Sequence, residues 1–187
     1  MFEMIASRIR QYNKDVLDPV VQLAVEIARE GREGRRIGTL FTVGDSDAVL
    51  ALSRAIILDP LAGHAREKKL VKDSDLQGTI KELAQLDGAF VVSDEGEFVA
   101  ACRHLEAPGS YVDLPFGLGA RHLAAASMSK ATRCVAVVAS ASAMVRLFDH
   151  GSLIAEVIPE LWLLNHQGVQ LRGLPLWKSR NAHPPCT

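Results

Sequence analysis

Cysteine is scarce in this sequence. Cys102, Cys134 and Cys186 are odd in number and far apart, with no C-x-x-C pair among them. That spacing excludes a zinc ribbon and a disulfide framework, and Cys102 and Cys134 read as small buried apolar side chains. Net charge is scarce too: 21 Lys and Arg stand against 22 Asp and Glu, a formal charge of -1. Such a balance gives no whole-protein electrostatic case for nucleic acid or an anionic membrane as partner. No apolar run has the length of a membrane helix; the longest, Cys134 to Val145, is short and broken by serines. The first residues, Met1 to Arg8, lack the apolar core and cleavage site of a secretory signal. A reducing cytoplasm is therefore the simplest compartment. There is no Walker A, G-x-G-x-x-G or G-x-S-x-G motif, which removes the P-loop, the dinucleotide fingerprint and the serine-hydrolase elbow. His64, His104, His150, His166 and His183 share no ligand spacing and read as surface or structural.

What is present is a core. Of 187 residues 48% are hydrophobic, enough for one compact domain. Val16, Leu17, Val20, Val21, Ala24, Ile27 and Ala28 recur at helical spacing, which predicts a helix over Asp15 to Glu30 with Pro19 in its first turn and Gly31 as C-cap. Ile37 to Val43 reads as a buried strand, and Asp45 or Ser46 as the cap of a short helix reaching Arg54. The basic stretch His64 to Lys72 reads as a solvated loop, or more sharply as a loop beside a nucleotide. Asp73 or Ser74 caps a helix whose inward positions are Leu76, Ile80, Leu83 and Leu86. Gly88 to Ser93 and Glu97 to Cys102 predict a hairpin, and Glu106 to Phe116, with two prolines, a loop. A helix from about Ala120 to Ala131 precedes strands at Cys134 to Ala139, Ala143 to Phe148 and Leu153 to Val157. From Pro175 onward the chain reads as a poorly ordered tail. The order predicts an α/β fold: a mixed sheet in a single domain flanked by helices.

Two stretches carry chemistry. Gly117-Leu118-Gly119-Ala120-Arg121-His122 feeds a glycine turn into a helix start, where free backbone N–H groups favour an anion and Arg121 adds a planar fork of donors. Leu86-Asp87-Gly88-Ala89 sets a carboxylate at a strand entrance, beside residues small enough for a flat ligand to approach the backbone. A carboxylate that can hold a metal, with an arginine on phosphate, is the minimum kit for nucleotidyl transfer.

In combination, Leu86-Asp87-Gly88-Ala89 and Asp113-Leu114-Pro115-x-Gly117-x-Gly119-x-Arg121-His122-x-Ala124-Ala125 resemble the diadenylate cyclase domain family, in the form of its stand-alone archaeal-type members. Ile37 to Asp45 is similar to that domain's first strand, and Val137 to Gly151 to its closing hairpin. The resemblance divides the chain into an N-terminal helical segment (1–30), the nucleotide-binding domain (31–160) and a C-terminal extension (161–187). It implies condensation of two ATP into cyclic di-AMP with release of two pyrophosphates, a divalent metal (Mn2+, Mg2+ or Co2+), and a homo-oligomer whose sites face each other, with neither nucleic acid nor membrane as partner. It implies Asp87 as metal ligand, near the ribose 3′-hydroxyl, and Gly88 and Ala89 lining ribose and base. Gly119, Arg121 and His122 would contact phosphate, with His122 near the metal. Ser129 and Thr132 would be further phosphate contacts, and Leu105 would lie by the adenine. Two departures stand out: Leu123 replaces a second arginine, and Ser140-Ala141-Ser142 replaces a turn that carries a glutamate in many members. They leave open a weak or inactive nucleotide-binding or sensor module of the same fold, or an oligomeric scaffold with a vestigial pocket.

Overall fold

The computed structural model describes residues 13–107, 112 and 114–166, without the side chains of 163, 165 and 166. Expectations placed on residues 1–12, Pro108, Gly109, Asp113 and the tail beyond 166 lie outside these. Among the described residues no helix is long and apolar enough to cross a membrane.

The chain builds α1 (Lys14–Glu30), β1 (Thr39–Val43), α2 (Ser46–Ala51), β2 (Ser53–Ala55), α3 (Ser74–Leu83), β3 (Ala89–Val92), β4 (Phe98–Leu105), α4 (Ala120–Ala131), β5 (Val135–Ser140), β6 (Met144–Asp149), β7 (Ser152–Val157) and α5 (Pro159–His166). Seven strands form one mixed sheet in the order β2-β4-β3-β1-β5-β6-β7. Only β1 and β3 run parallel; the other neighbours are antiparallel.

Strand alternation sorts the apolar residues onto two faces. Phe41, Val43, Phe90, Val92, Val135, Val137 and Leu147 pack against α1, where Phe41 and Phe90 stack with centroids 5.2 Å apart. Leu40, Ala89, Ala136, Val138 and Phe148 pack against Ala125 and Ala126 of α4. The sheet is thus covered on both sides, which is why β1, β3 and nearly all of β5 are buried along their length rather than at alternate residues.

Helix α1 is the main helix on one face of the sheet, joined there by Leu76 and Ile80 of α3. It buries nine residues between Val16 and Ala28. Asn13 caps it by accepting from the Asp15 N–H, which starts the helix a residue early, and Pro19 lies inside the helix rather than in its first turn. Gly31 closes it as expected, at φ 58°. The division at residue 160 falls inside α5, whose Trp162 is buried in the α1 core. The short helix after β1 stops at Ala51, and Ser53–Ala55 becomes an edge strand on β4. Three residues carry no periodicity, so this strand is decided by its partner. Asp73 caps α3 through the Asp75 and Leu76 N–H groups, but Leu86 lies beyond the helix and is exposed.

Candidate active site

The site gathers at the end of the sheet where β1 and β3 begin and β4 and β5 finish. Its floor depends on a glycine. Gly88 has φ 104°, and a Cβ there would stand 2.6 Å from the Cys102 carbonyl carbon and 2.7 Å from the Arg103 nitrogen. Only glycine allows the strand entrance to lie this close to β4. Opposite it, β4 carries an extra residue: Ala89 pairs with Arg103 while Val91 pairs with Ala100. Cys102 sits in this bulge at φ 54°. The bulge is held from outside the sheet. Asp59 Oδ2 accepts from the Ala101 N–H at 3.1 Å, its Oδ1 accepts from the Leu61 N–H, and the Ile56 N–H donates to the Cys102 carbonyl at 2.9 Å. Burial, and then the charges of Asp59 and Asp87, push the Cys102 thiol up from its ordinary range, so it is an inert packing group.

Two adjoining cavities open here. The smaller, about 220 Å³, is walled by Leu40, Gly88, Ala89, Leu105 and Ala124, with Ile56 and His104 at its rim. The larger, about 570 Å³, lies over the start of α4 and is bounded by Gly117, Gly119, His122, the Ser140-Ala141-Ser142 turn and Arg146. Asp87, Ala120 and Arg121 belong to both. The structure therefore brings together Asp87, Gly88, Ala89, Leu105, Gly119, Arg121 and His122.

The start of α4 suits an anion. Gly119 is its N-cap and provides no side-chain cap; the His122 N–H donates to the Gly119 carbonyl at 3.0 Å, and the Ala120 and Arg121 N–H groups are left for a ligand. Arg121 extends beside Gly38: a Cβ there would stand 2.8 Å from its Nη1. Asp87 is exposed, and its Oδ1 accepts from the Gly88 N–H at 3.0 Å. Among the described residues neither Asp87 nor Arg121 has an ion-pair partner.

His122 is different. It is buried, edge-on to Phe148, with Arg146 Nη1 3.4 Å from its Nε2. Burial, followed by the charges of Arg146 and Arg121, lowers its pKa below the ordinary 6.5, so the ring is neutral at pH 7. With Nε2 turned to Arg146, the proton belongs on Nδ1, which is buried without a partner. A ring that accepts from a guanidinium is poorly placed as a metal ligand, and the expectation of His122 near the metal has no support in this geometry. Among the described residues no three His, Cys, Asp or Glu groups converge to hold an ion. Asp87 alone fits a hard dication that draws most of its ligands from phosphate and water.

Ser129 and Thr132 do not reach either cavity. Ser129 Oγ donates to the Ala126 carbonyl and accepts from the Gly151 N–H at 3.1 Å. Thr132 Oγ1 donates to the Met128 carbonyl and accepts from the Cys134 N–H. Both hydroxyls are buried and serve the ends of α4, which corrects their reading as phosphate contacts. The basic loop is also elsewhere, since Arg66 and Lys69 pair with Glu97. Sequence reasoning missed Arg146, Ile56 and His104, which only strand pairing brings to the cavities.

This fold and site define a nucleotide-binding domain, and the comparisons say which one. The family model described as DAC, DisA bacterial checkpoint controller nucleotide-binding, matches residues 26–153, and the chain belongs to that family. A diadenylate cyclase of Methanocaldococcus jannaschii is 47% identical over 152 residues, covering 81% of this chain and 48% of that protein. A diadenylate cyclase of Haloferax volcanii is 38% identical over 148 residues, covering 79% of this chain and 54% of that protein. The chain thus spans about half the length of these curated relatives. Among solved structures, a hypothetical membrane spanning protein from Bacillus cereus aligns with TM-score 0.55 at 20% identity, over 80% of this chain and 66% of the other, which is a likeness of fold.

Proposed function

We propose that this chain is a diadenylate cyclase, a nucleotidyltransferase that joins two ATP into cyclic di-AMP and releases two pyrophosphates. The observation that carries this is the shared rim: Asp87 and Arg121, without ion-pair partners among the described residues, stand where an apolar slot meets an anion cradle. The small cavity receives adenine against Leu105 and Ala89, with Gly88 leaving room for the ribose. The α4 N-terminus and Arg121 hold the triphosphate in the larger cavity. Asp87 positions the 3′-hydroxyl end of the nucleotide and is the carboxylate that would hold a divalent ion. That ion, when bound, supplies charge neutralisation at the phosphates. One cavity pair holds one ATP, whose 3′-hydroxyl must attack the α-phosphate of a second. Two copies therefore face each other about a two-fold axis.

The test is ATP with Mn2+, Mg2+ or Co2+, read by chromatography for cyclic di-AMP, beside a calorimetric measurement of ATP binding. Cyclic di-AMP is expected, with activity rising more than linearly with protein at low concentration. Binding without product would favour a sensor instead, a reading to which the Ser140-Ala141-Ser142 turn points because it brings no carboxylate to the cavity. Absence of both would leave a scaffold.

A further inference from the structure

Arg146 is out of place in its row. Across the sheet Leu40 pairs with Val138, and Val138 with Arg146. Leu40, Val138 and, two residues along β6, Phe148 pack into the apolar cluster under α4. A guanidinium in that row, with its side chain 14% exposed, is costly unless it is paired. Glu156, opposite it on β7, accepts from Nε at 2.7 Å. Nη1 meets the neutral ring of His122 at 3.4 Å. One carboxylate and one imidazole leave donors of the five-donor fork over, and the residue borders the larger cavity. Leu123, where the resemblance implies a second arginine, borders neither cavity and is 51% exposed.

We propose that Arg146 is the second fixed cation of the phosphate cavity, acting with Arg121 on the triphosphate. This rests on the nucleotide reading above and names a residue that reading does not need. Glu156 holds the guanidinium by Nε, so its outer nitrogens stay available as a fork for phosphate oxygens. The neutral His122 ring sets the plane of that fork and adds no competing negative charge. Two cations on different elements, one at a helix start and one in a strand, grip a chain of phosphates from two sides.

The experiment measures ATP and adenosine binding by calorimetry for the wild-type chain, R146Q, R146K and E156Q, with thermal melting of each. R146Q is expected to weaken ATP at least about tenfold and to leave adenosine within about twofold, since a charge-assisted fork acts on phosphate alone. R146K should recover part of the ATP affinity. E156Q should weaken ATP more than adenosine, though less than R146Q does, because the cation remains but the carboxylate that holds its fork is gone. Equal ATP affinity in R146Q and wild type would overturn the proposal. So would a parallel loss of ATP and adenosine in both R146Q and E156Q, the pattern of a merely structural pair. If R146Q does not fold, E156Q decides: an ATP-selective loss supports the proposal, and unchanged affinity or a parallel loss of ATP and adenosine overturns it. A wild-type chain that binds adenosine and ATP equally overturns the triphosphate grip, whereas one that binds neither overturns the nucleotide reading itself.

Discussion

The two ends of the parallel pair β1 and β3 use the same side chains to opposite effect. Where these strands finish, Asp45 and Ser93-Asp94 line an acidic cavity of about 360 Å³ with Arg66 and Arg133. Its central charges are tied to one another: Asp45 accepts from the Arg133 backbone N–H at 2.9 Å and pairs with its guanidinium, Asp94 Oδ2 accepts from the Asp45 N–H, and Arg66 pairs with Glu97. The Arg133 N–H holds the Asp45 carboxyl below its ordinary pKa, against the effect of burial. Where the strands begin, Asp87 and Arg121 share a cavity rim with no ion-pair partner among the described residues. Parallel strands ordinarily offer ligands their carboxyl ends. Here the carboxyl ends are braced by the Asp45–Arg133 and Arg66–Glu97 pairs, and the amino ends are opened by Gly38, Gly88 and the start of α4, which has no side-chain cap. A charge left unpaired at a concave surface can meet a ligand, and a charge already paired holds the fold.

That contrast can be broken at several points. The largest effect is expected from Gly88→Ala, which sets a Cβ against the Cys102 backbone at a φ that side chains rarely adopt. It should lower the melting temperature and abolish ATP binding together. Next, Asp87→Asn should cut cyclic di-AMP formation about a hundredfold or more while ATP binding largely survives, since its loss falls on the reacting end. Normal turnover in that variant, measured by chromatography, would remove Asp87 from the chemistry. Asp59→Ala frees the Ala101 N–H and loosens the bulge under the small cavity. It should weaken adenosine and ATP equally, the reverse of the split expected for Arg146.

Smaller effects separate fold from site. Asp45→Asn at the far end should leave ATP affinity unchanged and reduce stability. Because the folded pKa of Asp45 lies below its ordinary 3.8, its contribution is complete above that value and is lost as pH falls through the folded pKa. Wild type and variant should therefore converge in acid melts. His122 acts through a different window. Its folded pKa lies below 6.5, so the unfolded chain binds the proton first and stability declines as pH drops below 6.5. His122→Gln should flatten that decline. Leu123→Arg is expected to tighten ATP by no more than about threefold, as an exposed charge outside both cavities contributes little. A larger gain would place a phosphate near Leu123.

Much of the fold was legible because strong local patterns coincide with their tertiary use. The apolar stripe of α1 at helical spacing did become a buried helix face. Ala120–Ala131 was legible because Gly119 precedes it, alanines fill it and Thr132 ends it. The edge strand Ser53–Ala55 was not, since three residues on a sheet margin show no period. The site divides likewise. Asp87, Gly88 and Arg121 announce themselves through neighbours in sequence. Ser129 shares its helix with Arg121 and Thr132 caps the end of that helix, but both lie at its far end, turned into the core rather than toward the ligand. Arg146 has no local signal, because an alternating strand with one arginine resembles any half-exposed strand.

By itself the sequence determined the elements that end in a glycine or a cap, the apolar faces, and the two motifs with their chemistry. Their order also determined that sheet and helices would mix. Only the tertiary structure decided which ends of the strands open. Packing on and across the sheet places Arg146 beside His122, sets Gly88 against the Cys102 bulge and pairs Asp45 with Arg133. Each of these relations joins residues distant in the chain. A contact of that kind depends on register and packing, to which local spacing contributes nothing.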